Sequence, residues 1–197
     1  MANTLAPFGF AQVQGYGSAP TYEQVELAIQ STNTTAIFYG DAVVANNTGY
    51  ITAATNSGTA VLAGVFTGCK YISTSQKRTV WSNYWPGSDN NGDGFAYVVN
   101  DPNALFKVQV ATTPITAAKV GQLVNIATTT AGSTATGLSG QTVNSTPATT
   151  ATWPFRLVSV VTNPPGANGT DVTTNNNYVI VAFNNVNTRN NAAVTGI

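Results

Sequence analysis

From Ala36 onward, short apolar runs recur about every 8–12 residues and each is cut by turn residues, a rhythm that leaves no room for a packed helix and predicts short β-strands. Ile37-Phe38-Tyr39 stops at Gly40-Asp41, and Ala42-Val43-Val44-Ala45 follows. Asn46-Asn47-Thr48-Gly49 then reads as a hairpin turn, from which Tyr50-Ile51-Thr52-Ala53 returns. Asn56-Ser57-Gly58 precedes Ala60–Phe66, and Ser75-Gln76-Lys77 separates Tyr71-Ile72-Ser73 from Thr79-Val80-Trp81. Phe95–Val99 and Leu105–Val110 flank Asn100-Asp101-Pro102-Asn103, and Tyr178–Phe183 reads as a closing strand. Thr and Asn together supply 53 of 197 residues, which fits the pattern. Thr is stiff at χ1 and favours strands, whereas Asn tolerates the backbone of turns. The fold class expected is all-β: a β-sandwich or β-barrel of short antiparallel strands, with an extended N-terminal arm and long polar loops.

The polar surface is built almost without charge. Asp, Glu, Lys and Arg make up 7% of the chain, against about 25% in ordinary globular proteins, and the formal net charge is +0. The basic residues are scattered and only Lys77-Arg78 are adjacent, so no stripe exists to neutralise phosphates and nucleic-acid binding is not expected. A surface this neutral has little long-range repulsion and favours association with neighbours. No run approaches the ~20 apolar residues of a membrane helix, so no membrane is expected as a partner. Met1-Ala2-Asn3-Thr4-Leu5 lacks the basic and apolar regions of a secretory leader. Cys69 is the only cysteine, which rules out an intrachain disulfide and agrees with folding in a reducing cytoplasm; its apolar surroundings mark it as a buried small hydrophobe.

Residues 1–20 read as an extended arm, with Pro7, Gly9, Gly15, Gly17 and Pro20 spaced between Phe8, Phe10 and Tyr16. Such an arm packs either on its own domain or on a partner. In residues 22–30, Val25, Leu27 and Ile29 alternate with Gln24, Glu26 and Ala28, which favours a strand over a short helix. A single β domain is expected over 21–185, either undivided or built from two similar units at about 36–110 and 111–185. Gly40-Asp41-Ala42-Val43-Val44 is echoed by Gly121-Gln122-Leu123-Val124-Asn125, and Val61–Val65 by Arg156–Val160. The second unit would carry an exposed insertion at about 133–152, with another loop at 163–169. Residues 186–197 read as a polar tail.

The chain contains no His, so the commonest general base and most zinc sites are absent and Ser-His-Asp or Cys-His catalysis is impossible. The acids are Glu23, Glu26, Asp41, Asp89, Asp93, Asp101 and Asp171. Asp89-Asn90-Asn91-Gly92-Asp93-Gly94 fits the first half of a calcium loop, with Asp89, Asn91 and Asp93 as alternating oxygen ligands. The twelfth position is Asn100 and not Glu, so the loop is no EF-hand; it is a weak calcium candidate beside the simpler reading of an Asx-rich turn. No other cofactor is expected. Trp81, Tyr84 and Trp85 form a dense aromatic group that serves a core, a subunit interface or a sugar-stacking platform.

Ala6-Pro7-Phe8-Gly9-Phe10, Gly40-Asp41-x-Val43, Leu62-Ala63-Gly64-Val65-Phe66-x-Gly68-Cys69-x-Tyr71, Trp81-x-x-Tyr84-Trp85-Pro86-Gly87-Ser88 and Asp101-Pro102-Asn103 resemble small virion structural proteins encoded beside the major capsid protein of tailed phages. The resemblance spans roughly residues 6–110. It implies a non-enzymatic decoration or cement protein on the outer capsid surface, made in the host cytoplasm. Its partners would be the major capsid protein and further copies of itself, as a dimer or trimer. Pro7, Phe8, Phe10 and Tyr16 of the arm, with Trp81, Tyr84 and Trp85, are the contact residues expected. The alternative is a head-fibre or tail-associated module that recognises host carbohydrate.

Overall fold

Alternation of β-branched and aromatic residues with polar ones carries through into strands along nearly the whole chain. The computed structural model describes residues 3–15, 23–56, 58–162 and 172–188. The strands are β1 (Ala11–Gly15), β2 (Val25–Ile29), β3 (Ile37–Phe38), β4 (Ala42–Ala45), β5 (Ile51–Ala53), β6 (Leu62–Ile72), β7 (Thr79–Ser82) and β8 (Tyr84–Trp85). They continue with β9 (Gly94–Val99), β10 (Ala104–Gln109), β11 (Leu123–Val124), β12 (Ile126–Thr128), β13 (Gln141–Val143), β14 (Phe155–Val160) and β15 (Tyr178–Phe183). The protein is all-β and every strand pair is antiparallel. The sheets are open, consistent with a sandwich and not a closed barrel. One sheet runs β1-β10-β15-β14-β11 and the larger one β2-β9-β6-β4-β5, with β7 paired to the far half of β6.

Two cores result. The larger lies between the sheets: Phe106, Val108, Phe155, Leu157, Val179 and Val181 on one side meet Ala42, Val44, Leu62, Val65 and Val99 on the other. The second lies on the opposite face of the six-stranded sheet, where Ile29, Val43, Phe66, Cys69, Tyr71, Ala96 and Val98 are closed off by Ile37 and Trp85 of the β3–β8 pair. Each fully buried large side chain stabilises the fold by about 1.5–3 kcal/mol relative to exposure. Gly94 makes room for this closure, since a Cβ there would stand 2.5 Å from the Trp85 ring.

The two sheets contain the same four-strand array. β2-β9-β6-β4 and β10-β15-β14-β11 have equivalent order and chain sequence. Gly40 N–H donates to the Phe66 carbonyl and Phe66 N–H to the Asp41 carbonyl, both at 2.8 Å. In the second array Gly121 N–H donates to Leu157 and Leu157 N–H to Gln122, both at 2.9 Å. The pairing register slips between Phe66 and Gly68 against β9, and at the matching place between Leu157 and Ser159 against β15. These bonds set Val65 against Arg156, so the sequence echo of Val61 with Arg156 is four residues out of register. The arrays begin at β2 and β10, not at residues 36 and 111.

At the periphery one open alternative is resolved and two expectations are corrected. The arm is part of the domain: β1 pairs with β10, Phe10 is 1% exposed, and Gln109 holds the Thr4 carbonyl (2.8 Å) and the Ala6 N–H (3.0 Å). The 133–152 insertion is not a free loop, because β13 lies within it and Ser139, Gln141, Thr142 and Val143 are buried. The start of the predicted tail is also held, with Val186 buried in the main core and Thr188 Oγ1 donating to Asn100 at 3.2 Å. The 163–169 loop and residues 189–197 lie outside the described residues.

Candidate functional site

The outward face of the six-stranded sheet is built by alternation. On β6, Cys69 and Tyr71 point into the second core, so Lys70 and Ile72 between them point out. β7 pairs Lys70 with Trp81 and Ile72 with Thr79, which puts Trp81 and Thr79 on the same face. β9 pairs Lys70 with Phe95, and β2 pairs Tyr97 with Glu26. The outcome is a continuous surface of Trp81, Ile72, Phe95 and Tyr97 around one ion pair. Trp81 is 67% exposed, Ile72 48% and Phe95 46%. The inner half of this same face, at Leu62, Val65 and Val99, is already buried against the other sheet.

Charge on the face is balanced internally. Lys70 Nζ lies 2.7 Å from Glu26 Oε1, 5.1 Å from the Phe95 ring centre and 5.8 Å from that of Tyr97. The hydrogen bond to Glu26 holds the Lys70 ammonium above its usual pKa. The pair is solvated, so its stabilisation is small. Its main effect is to leave an aromatic surface with no net charge.

The expected contact residues divide sharply. Trp81 lies on this face. Trp85 is fully buried, edge-on to Tyr71 at 5.5 Å, with Nε1 donating to the Asn33 carbonyl at 3.0 Å. Phe10 stacks on Phe155 at 4.3 Å inside the main core. Neither of these two is available to a partner. Tyr84 stacks on Phe38 at 5.7 Å and Phe8 on Tyr178 at 5.8 Å, both half-buried, as is Pro7. Tyr16 lies outside the described residues. Ile72, Phe95, Tyr97, Lys70 and Glu26 were not anticipated as site residues. Their signal was alternation in strands that meet only in the folded sheet, Lys70 with Phe95 and Glu26 with Tyr97, which one strand read alone does not display.

The acidic loop is spent on local hydrogen bonds. Asp89 accepts from Ser73 Oγ (2.6 Å), Ser75 N–H (2.8 Å) and Ser75 Oγ (3.0 Å), which lowers its pKa, Ser73 foremost. Asp93 accepts from Ser31 N–H and Tyr50 Oη, both at 2.8 Å, and its pKa is lowered chiefly by the Ser31 backbone bond. Asn91 N–H donates to the Ile72 carbonyl at 2.8 Å. Asp89 therefore braces the β6–β7 turn while Asp93 ties β9 to Ser31 and Tyr50. Among the described residues no three His, Cys, Asp or Glu side chains gather as metal ligands.

Asp41 lines a cleft of about 390 Å³ with Phe38, Thr128, Thr130 and Gln141. It accepts from Phe38 N–H at 2.7 Å and Ser139 Oγ at 2.5 Å, and burial raises its pKa against both bonds. Gln141 is engaged at both ends of its amide, accepting from Ala42 N–H and donating to the Ala54 carbonyl. These groups fasten the 133–152 segment to the first array. Burial pushes the Cys69 thiol up to about 12, and Sγ donates to the Tyr84 carbonyl at 3.3 Å, so this sulfur is a packing group.

No family model matches the chain, and neither a curated protein nor a solved structure matches it.

Proposed function

We propose that this chain is a non-enzymatic capsid decoration or cement protein, which binds the outside of a tailed-phage head and stabilises it by bridging neighbouring capsomers. The observation that carries the reading is the Trp81–Ile72–Phe95 face, a charge-balanced aromatic surface on a rigid sheet in a chain with 7% charged residues and no His. Aromatic residues of this kind supply most of the energy in protein contacts. The mechanism is additive: each copy buries modest area at a junction, and many copies act together. The resemblance of residues 6–110 to virion structural proteins points to the major capsid protein as partner.

With Phe10 in the core, binding runs through the sheet face and not through a detachable arm. One observation favours a second reading, a head-fibre or tail-associated carbohydrate-binding module: Trp81 lies exposed beside Lys70, and the Lys70–Glu26 pair could hydrogen-bond sugar hydroxyls. Copy number separates the two. Purified protein is mixed with undecorated heads and bound copies are counted after sedimentation. Saturation at hundreds per head supports decoration; absence from heads, or binding of a few copies blocked by free sugar, overturns it.

A further inference from the structure

β7 is an edge strand whose backbone orientation can be read from its turn. Ser73 N–H donates to the Arg78 carbonyl at 2.9 Å, making these two a hydrogen-bonded pair. Antiparallel pairs alternate, so Tyr71–Val80 and Cys69–Ser82 are also hydrogen-bonded, while Ile72–Thr79 and Lys70–Trp81 are not. The Ile72 carbonyl confirms the phase, since it is taken on the opposite edge of β6 by Asn91 N–H. Thr79 and Trp81 thus turn N–H and C=O away from β6, and among the described residues β7 pairs with β6 alone. Edge strands are ordinarily guarded by Lys, Pro or a bulge. Thr79-Val80-Trp81-Ser82 has none of these within it.

We infer that β7 is a self-association edge: two copies of this chain pair β7 with β7 across a two-fold axis centred on Trp81. Such an axis, perpendicular to the sheet, keeps the outward faces of both copies on one side. That requires a residue of one parity to sit opposite the same parity, and the Trp81–Trp81 register meets it. Each Trp81 N–H then donates to the other copy's Trp81 carbonyl, and the two indoles lie side by side at the ~5.5 Å spacing of a hydrogen-bonded pair. Val80 falls opposite Ser82, Thr79 opposite Asn83 and Arg78 opposite Tyr84, so no like charges meet. The two six-stranded sheets become one continuous sheet, and its aromatic row runs Phe95, Lys70, Trp81, Trp81, Lys70, Phe95 with each lysine held by its own Glu26. A second copy is the occupant that fits, because an isologous contact needs a patch that does not repel itself. The closed Lys70–Glu26 pair and the uncharged strand supply that property. This inference rests on the assembly reading for its purpose, but its geometry stands without it.

The test is sedimentation equilibrium of the full chain across roughly micromolar to millimolar concentration, joined to amide hydrogen exchange. A dimer is expected, with the Thr79 and Trp81 amides slowing as concentration rises. Trp81→Lys should raise the dissociation constant on the order of 30-fold, the loss of a central aromatic anchor. Thr79→Pro removes an amide that makes no bond within the sheet, and should give a folded monomer. A monomer at every concentration overturns the inference, as does a dimer in which those amides stay fast or which Trp81→Lys leaves intact. Head binding by a strictly monomeric protein would sink the β7 edge and keep the decoration reading. A β7 dimer that ignores heads would do the reverse.

Discussion

The two four-strand arrays share strand order, turn hydrogen bonds and a register slip, yet their outward faces are finished differently. In the second array Tyr178 is covered by the Phe8 ring on one side and approached by Lys107 at 4.9 Å. The equivalent residue of the first array is Phe95, which has Lys70 nearby and stands 46% open. Among the described residues, the N-terminal segment covers one copy of the unit and leaves the other open. A repeated fold shows which part of a surface is needed for folding and which is left for something else, because each array is a control for its twin.

The comparison can be broken most forcefully at the arm. Phe10→Ala should cost about 3–5 kcal/mol in urea unfolding, since the ring is buried against Phe155. A loss below about 1 kcal/mol would make the arm an accessory after all. The residue after each turn glycine gives the next test, Asp41 in one array and neutral Gln122 in the other. Burial raises the folded-state pKa of Asp41 above its usual 3.8, so the folded state binds the proton more tightly than the unfolded state. Its contribution is therefore largest at low pH and declines as pH climbs from about 3.8 through the raised value. Asp41→Asn should cost about 1–3 kcal/mol in acid, less at neutral pH, and should flatten that part of the stability profile. Asp89 and Asp93 have the opposite sign: their lowered values stabilise above 3.8, and that support is lost as pH falls from 3.8 through the lowered values.

Smaller effects sharpen the contrast of faces. Tyr178→Ala should cost about 1 kcal/mol by removing the Phe8 stack. Phe95→Ala and Trp81→Ala should each lie within about 0.5 kcal/mol in the monomer. A large destabilisation from Trp81→Ala, measured by thermal melting at low concentration, would turn this face into part of the fold.

Much of this fold could be read from the residues, and the failures have physical causes. The hairpin at Asn46–Gly49 and the strand at Val25–Ile29 follow from turn chemistry and alternation within a few residues. Trp81 and Trp85 looked alike in sequence because both lie in one aromatic run. Thr79 and Val80 already give Trp81 its outward parity, but β8 turns away after Asn83 and closes the second core with Trp85. The arm was ambiguous because the groups that receive it, Gln109, Phe155 and Tyr178, stand about a hundred residues or more downstream. The duplication was aligned at Gly40 and Gly121 but slipped by four residues at Val61 and Arg156, because the register there resides in backbone bonds around a bulge and not in side-chain identity.

The docking of β1 onto β10 ties folding of the N-terminal segment to distant parts of the chain. β1 needs β10, and Phe10 needs Phe155, so this segment cannot dock until residues about a hundred or more positions downstream have been made. Until then Phe8 and Phe10 lack their native neighbours Tyr178 and Phe155. The N-terminal segment thus acts as a long-range clasp, joining two strands that lie about fifty residues apart.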